Sequence, residues 1–384
     1  MKHTAFFFRS LYSAAIGIAL LPIVIGCSSR RQDTSASATG GDTVSLKYAR
    51  LLTLVRHDGY VEATIANPWK KGQLLHRYYL VPRADSARFS TPAVKGDVVY
   101  TPVRRSVVAL SSLCQLAVWL QTEKGIKGVC DCQYVQVPRI RQMLHGGLVA
   151  DCGSSMAPSV EQVAALDADA LFLSPFDNAN YGRVAQIGVP VVECAEYMEA
   201  SALARAEWVR FYGMLWGRER QADSLFCKME RHYKDICREV AHTRSRPGVL
   251  TERVSSGTWY CPGGRSTMAS MIADAGGRYL FAADTHSGSL PLAPETVVER
   301  GAAADVWLFV AAGTKPLSRQ QLLAEYHGYS QIKAMQTGSV FQCANLASAY
   351  FDELSFRPDY LLQDMAYMFH PELRKGARLR YFQQ

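Results

Sequence analysis

The chain has 384 residues, of which 48% are hydrophobic and 20% are charged, and its formal net charge is +8. A chain of this length and hydrophobic content buries a large core, so its composition excludes disordered and fibrous proteins and favours two folded lobes. The positive excess is mild and no dense Lys/Arg block accompanies it, so we expect no nucleic acid among its partners.

The first 26 residues follow the pattern of an export signal. Lys2 and Arg9 precede a short apolar run, SAAIGIALLPIVI, which is shorter than a membrane-spanning helix requires. The run ends in VIGC, a motif that resembles the bacterial lipobox and therefore implies cleavage before Cys27 and acylation of its thiol. The polar residues that follow are rich in Ser, Gly and Thr. We therefore predict a signal peptide over 1–26 and a lipidated flexible tether over 27–44.

The pattern between residues 45 and 100 is typical of strands, because apolar and polar residues alternate and β-branched and aromatic residues are frequent. Strands alternate with helices over 101–202, where QYVQVPRIRQML (133–144) is expected to be a loop. Residues 203–242 lack strand signals and carry one apolar stripe at helical spacing, which predicts linking helices. The alternation of strands and helices resumes over 243–384.

Strands that alternate with helices indicate mostly parallel sheets covered on both faces. We therefore predict an α/β fold in which two doubly wound lobes with mostly parallel sheets are joined by a long α-helix. A strand-rich N-terminal extension precedes the first lobe.

Ten cysteines are many for an exported chain, and nine remain once Cys27 is assigned to the lipid. Cys130, Cys132 and Cys152 form the tightest group, but they lack the paired CxxC spacing of a zinc ribbon. Buried free thiols, one or two disulfides and a metal cluster are the three interpretations that the sequence leaves open.

Open α/β sheets bind ligands at the carboxyl ends of their strands, so we expect a ligand site between the two lobes. The loops in these places are rich in aromatic residues, which offer flat contact area, and in arginines, which recognise anions bidentately. The predicted ligand-binding residues are Ser111, Ser112, Tyr134, Arg139, Arg141, Phe176, Tyr181, Trp259, Tyr260, Arg265, Tyr350 and Phe351.

Catalytic and nucleotide-binding motifs such as GxGxxG, GxSxG and HExxH do not occur, so we predict no catalytic residue and no cofactor. A zinc or manganese site would need three or four converging ligands, and only His145 and His286 lie near the expected cleft loops. An enzyme that handles metals or tetrapyrroles would use Cys130, Cys132, Cys152 or His145. These two alternatives stand beside the binding-protein interpretation.

One helix-strand unit occurs twice, as APSVEQVAALDADALFLSPF (157–176) and APETVVERGAAADVWLFVAAG (293–313). Each copy has a glutamate in the first turn of its helix, Glu161 and Glu295. Capping and the helix dipole favour an acidic residue at either position, but they do not require the pair.

Six segments in chain order carry a family resemblance: RRSVVALSS, DCGSSMAPSVEQVAALDADALFLSPF, LARAEWVRFYGMLWGRERQADSLF, WYCPGGRSTMASMIADAGG, LAPETV and FRPDYLLQDMAYMFHPEL. Over roughly residues 100–384 the sequence resembles the substrate-binding lipoproteins of ATP-driven importers for ferric siderophores, haem and cobalamin. The resemblance implies two α/β lobes joined by one long helix, with an importer permease and its ATPase as partners. It also implies that Glu161 and Glu295 face the transporter and pair with its arginines.

Taken together, these features predict a monomeric binding protein that is not an enzyme. It would be anchored to a membrane of the cell envelope by its N-terminal lipid and would face the periplasm. Its transported ligand would be a ferric siderophore, haem or a cobalamin.

Overall fold

The structure, a computed structural model, describes residues 41–384, which form one compact unit. The predicted signal peptide, the lipidated Cys27 and the tether as far as residue 40 lie outside the described residues. Within 41–384, no helix has both the length and the apolar composition that crossing a membrane requires. The predicted domain boundaries at residues 100, 202 and 242 stay predictions, because residues 41–384 form one compact unit that is not divided at these positions.

The N-terminal extension is a sheet of five strands. They are β1 (Asp42–Thr43), β2 (Leu52–His57), β3 (Tyr60–Ala66), β4 (Leu74–Pro82) and β5 (Asp97–Thr101). The strands are ordered as in the chain and antiparallel, except that β5 runs parallel to β4. Leu54 and Ile65 are fully buried, so the predicted alternation gives this sheet one apolar face.

The N-terminal lobe is built on a parallel sheet with the order β12-β11-β6-β7-β8. Its elements are β6 (Ser106–Val108), α1 (Ser111–Trp119), β7 (Ile126–Val129), α2 (Pro138–His145), β8 (Ala150–Asp151), β9 (Gly153–Ser154), β10 (Ala157–Pro158), α3 (Val160–Ala165), β11 (Ala170–Leu173) and β12 (Val191–Glu193). The chain enters in the middle of the sheet, moves outward to β8 and returns to β11. The point where its direction reverses lies between β6 and β11.

Helix α2 corrects the prediction of a loop over 133–144. Pro138 occupies the first helical turn, where its missing N–H costs nothing. Ile140 and Met143, three residues apart, are both buried, so they form the apolar face of a helix. This short signal was overlooked because it spans only two turns.

Three helices link the lobes: α4 (Ala202–Glu207), α5 (Val209–Leu215) and α6 (Glu219–Ala241). Gly217 separates α5 from α6 with a φ of +63°, in the left-handed region that favours glycine. Helix α6 has 23 residues and is therefore about 35 Å long. Its stripe of buried residues, from Phe226 to Val240, follows the predicted helical spacing.

The C-terminal lobe has a parallel sheet with the order β16-β13-β18-β19 and a small antiparallel sheet, β14-β15-β17, which the sequence did not indicate. Its elements are β13 (Gly248–Thr251), β14 (Val254–Ser255), β15 (Thr258–Pro262), α7 (Thr267–Asp274), β16 (Arg278–Tyr279), β17 (Ser289–Leu292), α8 (Pro294–Gly301), β18 (Val306–Ala311), α9 (Arg319–Glu325), α10 (Lys333–Thr337), β19 (Val340–Ala344), α11 (Tyr350–Glu353), α12 (Pro358–Phe369) and α13 (Pro371–Arg374). The chain direction reverses between β13 and β18.

Two buried glutamates hold the segment that precedes β2, which we call the strap (residues 47–51). Glu207 accepts hydrogen bonds from the backbone N–H groups of residues 47–49 at 2.7 to 2.9 Å. Glu199 accepts those of residues 50 and 51 at 2.9 to 3.1 Å. Both carboxylates lie at or close to zero exposure, so each is stabilised by several donors rather than by water.

The extension also covers the outer edge of the N-terminal sheet. The Tyr78 hydroxyl on β4 donates to the carbonyl oxygen of Val191 and accepts from the N–H of Glu193, both at 2.9 Å. Exposed edge strands invite pairing with other chains. One buried hydroxyl therefore satisfies two backbone groups of the edge strand β12.

We expect Glu207→Gln to lower the free energy of unfolding by about 3 kcal/mol. The neutral amide offers one acceptor oxygen to three backbone N–H groups, and it removes the charge that pairs with Arg210 at 2.7 Å. Asp223→Asn is the matched control, because Asp223 pairs with the same arginine but is exposed, and it should change stability by less than about 0.5 kcal/mol. Urea unfolding followed by tryptophan fluorescence measures the free energy of unfolding of both variants. Equal losses of stability would contradict the proposal that Glu207 stabilises the protein by holding the strap.

Candidate functional site

The carboxyl ends of the two parallel sheets face each other. Helix α1, which follows β6, packs against α11, which follows β19. The Thr267 hydroxyl donates to the backbone oxygen of Glu199 at 3.3 Å and joins the start of α7 to the loop that follows β12. We call the segments around this junction the cleft rim, which comprises residues 109–112, 130–137, 174–182, 194–201, 252–266 and 345–351 and includes β14 and β15. This is the place where open α/β sheets bind ligands.

Large apolar side chains are concentrated on the cleft rim. Of the eleven that are exposed among residues 41–384, six lie there. Four were predicted from the sequence, and their exposed fractions are 66% for Tyr134, 40% for Phe176, 50% for Tyr260 and 53% for Phe351. The other two, Tyr197 and Leu346, were missed. Both lobes thus carry exposed apolar side chains on their rim segments, as binding surfaces commonly do.

The predicted serines lie where the lobes touch. Ser112 is buried in the first turn of α1, and Ser111 lies beside Asp352 of α11. Burial raises the pKa of Asp352, while hydrogen bonds from Ser111 and from the N–H of Gln136 act in the opposite direction. Asp352 therefore connects three rim elements, and no motif in the sequence identified it.

Two predicted ligand residues are core residues instead. Trp259 is fully buried between Trp307 and Tyr329, and its Nε1 donates to a backbone oxygen at 3.0 Å. Successive side chains of a strand point to opposite faces, so Trp259 faces inward and Tyr260 faces outward. Tyr350 is likewise 3% exposed, next to the exposed Phe351.

The three predicted arginines occupy different places. Arg265 is exposed on the loop that precedes α7, two residues from the contact between the lobes. Arg141 is exposed on α2 and donates to Gln136 at 3.1 Å. Arg139 lies 3.9 Å from Glu123, a residue that precedes β7, so its guanidinium is directed toward the amino end of that strand and away from the rim.

Each of the paired glutamates is exposed beside a surface cavity of its own lobe. Glu161, in the first turn of α3, lines a cavity of about 400 Å³ together with Phe176 and Tyr181. Glu295, in the first turn of α8, lines a cavity of about 670 Å³ and accepts a hydrogen bond from the Tyr326 hydroxyl at 3.2 Å. The structure therefore brings Glu161 together with two predicted ligand residues.

Glu252 is a further residue that the sequence did not indicate. It follows β13, at the point where the chain direction of the C-terminal sheet reverses, and its φ of +60° is unusual for a residue with a side chain. Burial raises the pKa of Glu252 to about 7, while the nearby Arg253 lowers it. A strained backbone and a shifted carboxyl at such a position are typical of functional sites.

The two histidines of the metal alternative lie in different lobes, whereas Cys130 and Cys152 of the enzyme alternative lie in one buried cluster of the N-terminal lobe. His145 ends α2, and His286 lies 3.1 Å from Asp284. The part of the chain that the structure describes contains no group of three His, Cys, Asp or Glu side chains suited to a metal ion. Its nine cysteines are free thiols, of which six are buried.

Comparisons with known proteins identify a matching family model and two related chains. The family model described as "Periplasmic binding protein" matches residues 133–346. An uncharacterized lipoprotein of Methanocaldococcus jannaschii is 27% identical over 96% of this chain and 95% of its own length. A second lipoprotein of that organism is 27% identical over 64% of each chain.

Solved structures of similar fold cover 70 to 73% of this chain. A periplasmic heme binding protein from Pseudomonas aeruginosa has a TM-score of 0.55 and 19% identity over 70% of this chain and 93% of its own. A molybdate-binding periplasmic protein from Haemophilus influenzae has a TM-score of 0.57 and 19% identity over 73% and 90%. A possible iron-binding protein from Staphylococcus epidermidis has a TM-score of 0.56 and 17% identity over 70% and 100%. At these identities the likeness shows a shared fold.

We expect native-state alkylation to distinguish the thiols. Cys227 is exposed and should react with iodoacetamide within minutes. Burial raises the pKa of Cys130 to about 12 and that of Cys152 to about 11, so both should stay unmodified until the protein unfolds, because the thiolate is the nucleophile. Peptide mass spectrometry with and without urea measures each site. Rapid labelling of Cys130 or Cys152 in the native protein would contradict this prediction, because it would show that the buried cluster around these thiols opens to solvent.

Proposed function

Because the chain belongs to the periplasmic binding protein family, we propose that it captures a ferric siderophore, haem or cobalamin-like ligand between its lobes and delivers it to an ATP-driven importer. Proteins of this family bind solutes for transport and are not enzymes. The ligand is therefore cargo, and no bond is made or broken at the cleft rim.

The observation that carries the proposal is the set of exposed apolar side chains that both lobes carry on the cleft rim. Flat rings such as those of Tyr134, Tyr260 and Phe351 bury large areas with little loss of conformational entropy. They suit a planar macrocycle or the aromatic groups of an iron chelate. The heme-binding and iron-binding names of proteins with similar folds support this ligand class.

Ligand capture should involve a small lobe movement. Helix α6 is a continuous strut, and the strap ties the extension to α4, which lies next to it. Helical connections of this kind resist the wide hinge motion that flexible strands permit. We propose that the lobes close by a limited rotation over the ligand.

We propose that Glu161 and Glu295 are the contacts to the importer. Each is exposed in the first turn of a helix, one on each lobe, and each lies beside a cavity that an arginine side chain of the permease could enter. An ion pair of this type contributes most when it is desolvated at an interface. The N-terminal lipid on Cys27 would hold the protein at the membrane, in keeping with the lipoprotein names of the two relatives.

We expect Tyr260→Ala and Phe351→Ala each to weaken ligand binding about tenfold, since truncation of an aromatic anchor commonly costs more than 1 kcal/mol. Hemin, ferrichrome and cyanocobalamin are titrated separately, and binding is followed by tryptophan quenching. Tyr100→Ala is the matched control, because Tyr100 is similarly exposed at 41% but lies on β5 of the extension. Unchanged affinity in both rim variants would refute the assigned site.

We expect the double variant Glu161→Ala/Glu295→Ala to keep its ligand affinity within about twofold while importer-dependent uptake falls at least tenfold. The reason is that docking carboxylates contact the permease rather than the ligand. Uptake of the probe that binds is measured in cells that depend on this protein. Glu299→Ala, an exposed glutamate one turn further along α8, is the control. The docking role is wrong if uptake persists or if affinity is the property that falls.

A further inference from the structure

The extension reaches one loop of the cleft rim, residues 174–182, directly at one place and indirectly at a second. Lys70, between β3 and β4, donates to the side-chain oxygen of Asn178 at 3.0 Å. The second contact runs through Glu193, the last residue of β12. Its Oε2 accepts a short hydrogen bond from the hydroxyl of Tyr181, which belongs to the same loop. The loop 174–182 is therefore held in place by one hydrogen bond from the extension and by one to Glu193, which the extension contacts.

Glu193 is buried beside a histidine of the extension. Its Oε1 lies 3.9 Å from Nδ1 of His76, and Nε2 of His76 lies 2.9 Å from Oδ2 of Asp97. The His76 ring stacks on Tyr78 with 4.3 Å between centroids, so its position is fixed by the tyrosine that covers the β12 edge. A carboxylate, an imidazole and a second carboxylate thus follow one another from the surface to the rim loop.

The loop needs such support because its backbone is strained. Asn178 and Tyr181 have φ values of +59° and +48°, in the left-handed region that side chains disfavour. The Tyr181 ring meets Phe176 edge to face at 6.4 Å. Tyr181 therefore links Glu193 to Phe176, one of the exposed aromatic residues of the cleft rim.

The charge of Glu193 is open to change near neutral pH. Burial raises the pKa of Glu193 to about 7, although the hydrogen bond from Tyr181 lowers it. The titratable and charged groups that face this cluster from the surrounding elements are Tyr78 and His76 of β4, Asp97 of β5, Tyr181 of the rim loop, and Cys194 and Tyr197 after β12.

We propose that His76 and Glu193 form a proton-linked contact through which the extension sets the position of the rim loop 174–182. When Glu193 is ionised, it accepts a charge-assisted hydrogen bond from Tyr181 and holds the loop. When Glu193 is protonated, that bond weakens and the strained loop relaxes. The His76 ring lies 3.9 Å from this carboxylate, so the extension influences the pH at which the loop is released.

Release of the loop would weaken ligand binding at the cleft rim; this consequence rests on the proposed function, whereas the loop movement itself does not. The test therefore reads the loop without a ligand. 4-Trifluoromethylphenylalanine replaces Phe176, and the ¹⁹F chemical shift is recorded from pH 5 to 8.5. We expect one sigmoidal transition with its midpoint near pH 7. Glu193→Gln should abolish the transition, and His76→Gln should move its midpoint, because the substitution replaces the imidazole whose Nδ1 lies 3.9 Å from the carboxylate.

Stability provides a second readout that does not depend on the probe. The pKa of Glu193 is raised in the folded protein, so its contribution to stability is fully present below about pH 4.5 and is lost as the pH rises through 7. Relative to Glu193→Gln, the urea midpoint of the unsubstituted protein should fall over this range.

His286→Gln is the matched control, because this exposed histidine pairs with Asp284 in the other lobe and should leave the ¹⁹F midpoint unchanged. The proposal is overturned by a flat ¹⁹F profile, by a transition that survives in Glu193→Gln, or by a midpoint that ignores His76→Gln. Failure of any of the three ligands to bind would leave these outcomes unaffected, so the two proposals fail independently.

Discussion

The position of the whole extension depends on backbone N–H groups that are buried against the linking helices and must find acceptors there. Glu199 and Glu207 supply those acceptors for five successive residues of the strap. If water filled this contact, the strap could shift along the helices. A carboxylate that accepts several backbone hydrogen bonds instead holds the strap in one position. The chain end uses the same device, since Asp364 accepts hydrogen bonds from the N–H groups of residues 380–382.

Once the strap is held, the remaining contacts of the extension follow from its geometry. β4 lies beside β12, so that the Tyr78 hydroxyl satisfies the sheet edge and His76 reaches Glu193. The same placement puts Lys70 next to the rim loop. The extension is thus part of the architecture of the cleft, although the structures of similar fold cover only 70 to 73% of the chain.

The candidate site could be predicted only in part from the sequence. Four of the predicted aromatic residues, Tyr134, Phe176, Tyr260 and Phe351, are exposed on the cleft rim. Trp259 was misassigned because a motif does not say which face of β15 a residue occupies. Tyr197 and Leu346 were missed because single apolar residues in short loops carry no pattern. Their exposure is a property of the folded surface.

The sequence by itself determined the α/β class, the two parallel sheets and the linking helices, because each depends on local periodicity and on residues that are near neighbours in the chain. It also contained the paired glutamates Glu161 and Glu295. Three features could be seen only in the tertiary structure: the hydrogen bonds that hold the strap, the position of Asp352 between the lobes, and the contact of His76 with Glu193. These contacts join residues at least 117 positions apart in the chain, and such distant pairs leave no periodic signal. Their effects depend on burial and distance, which exist only after folding.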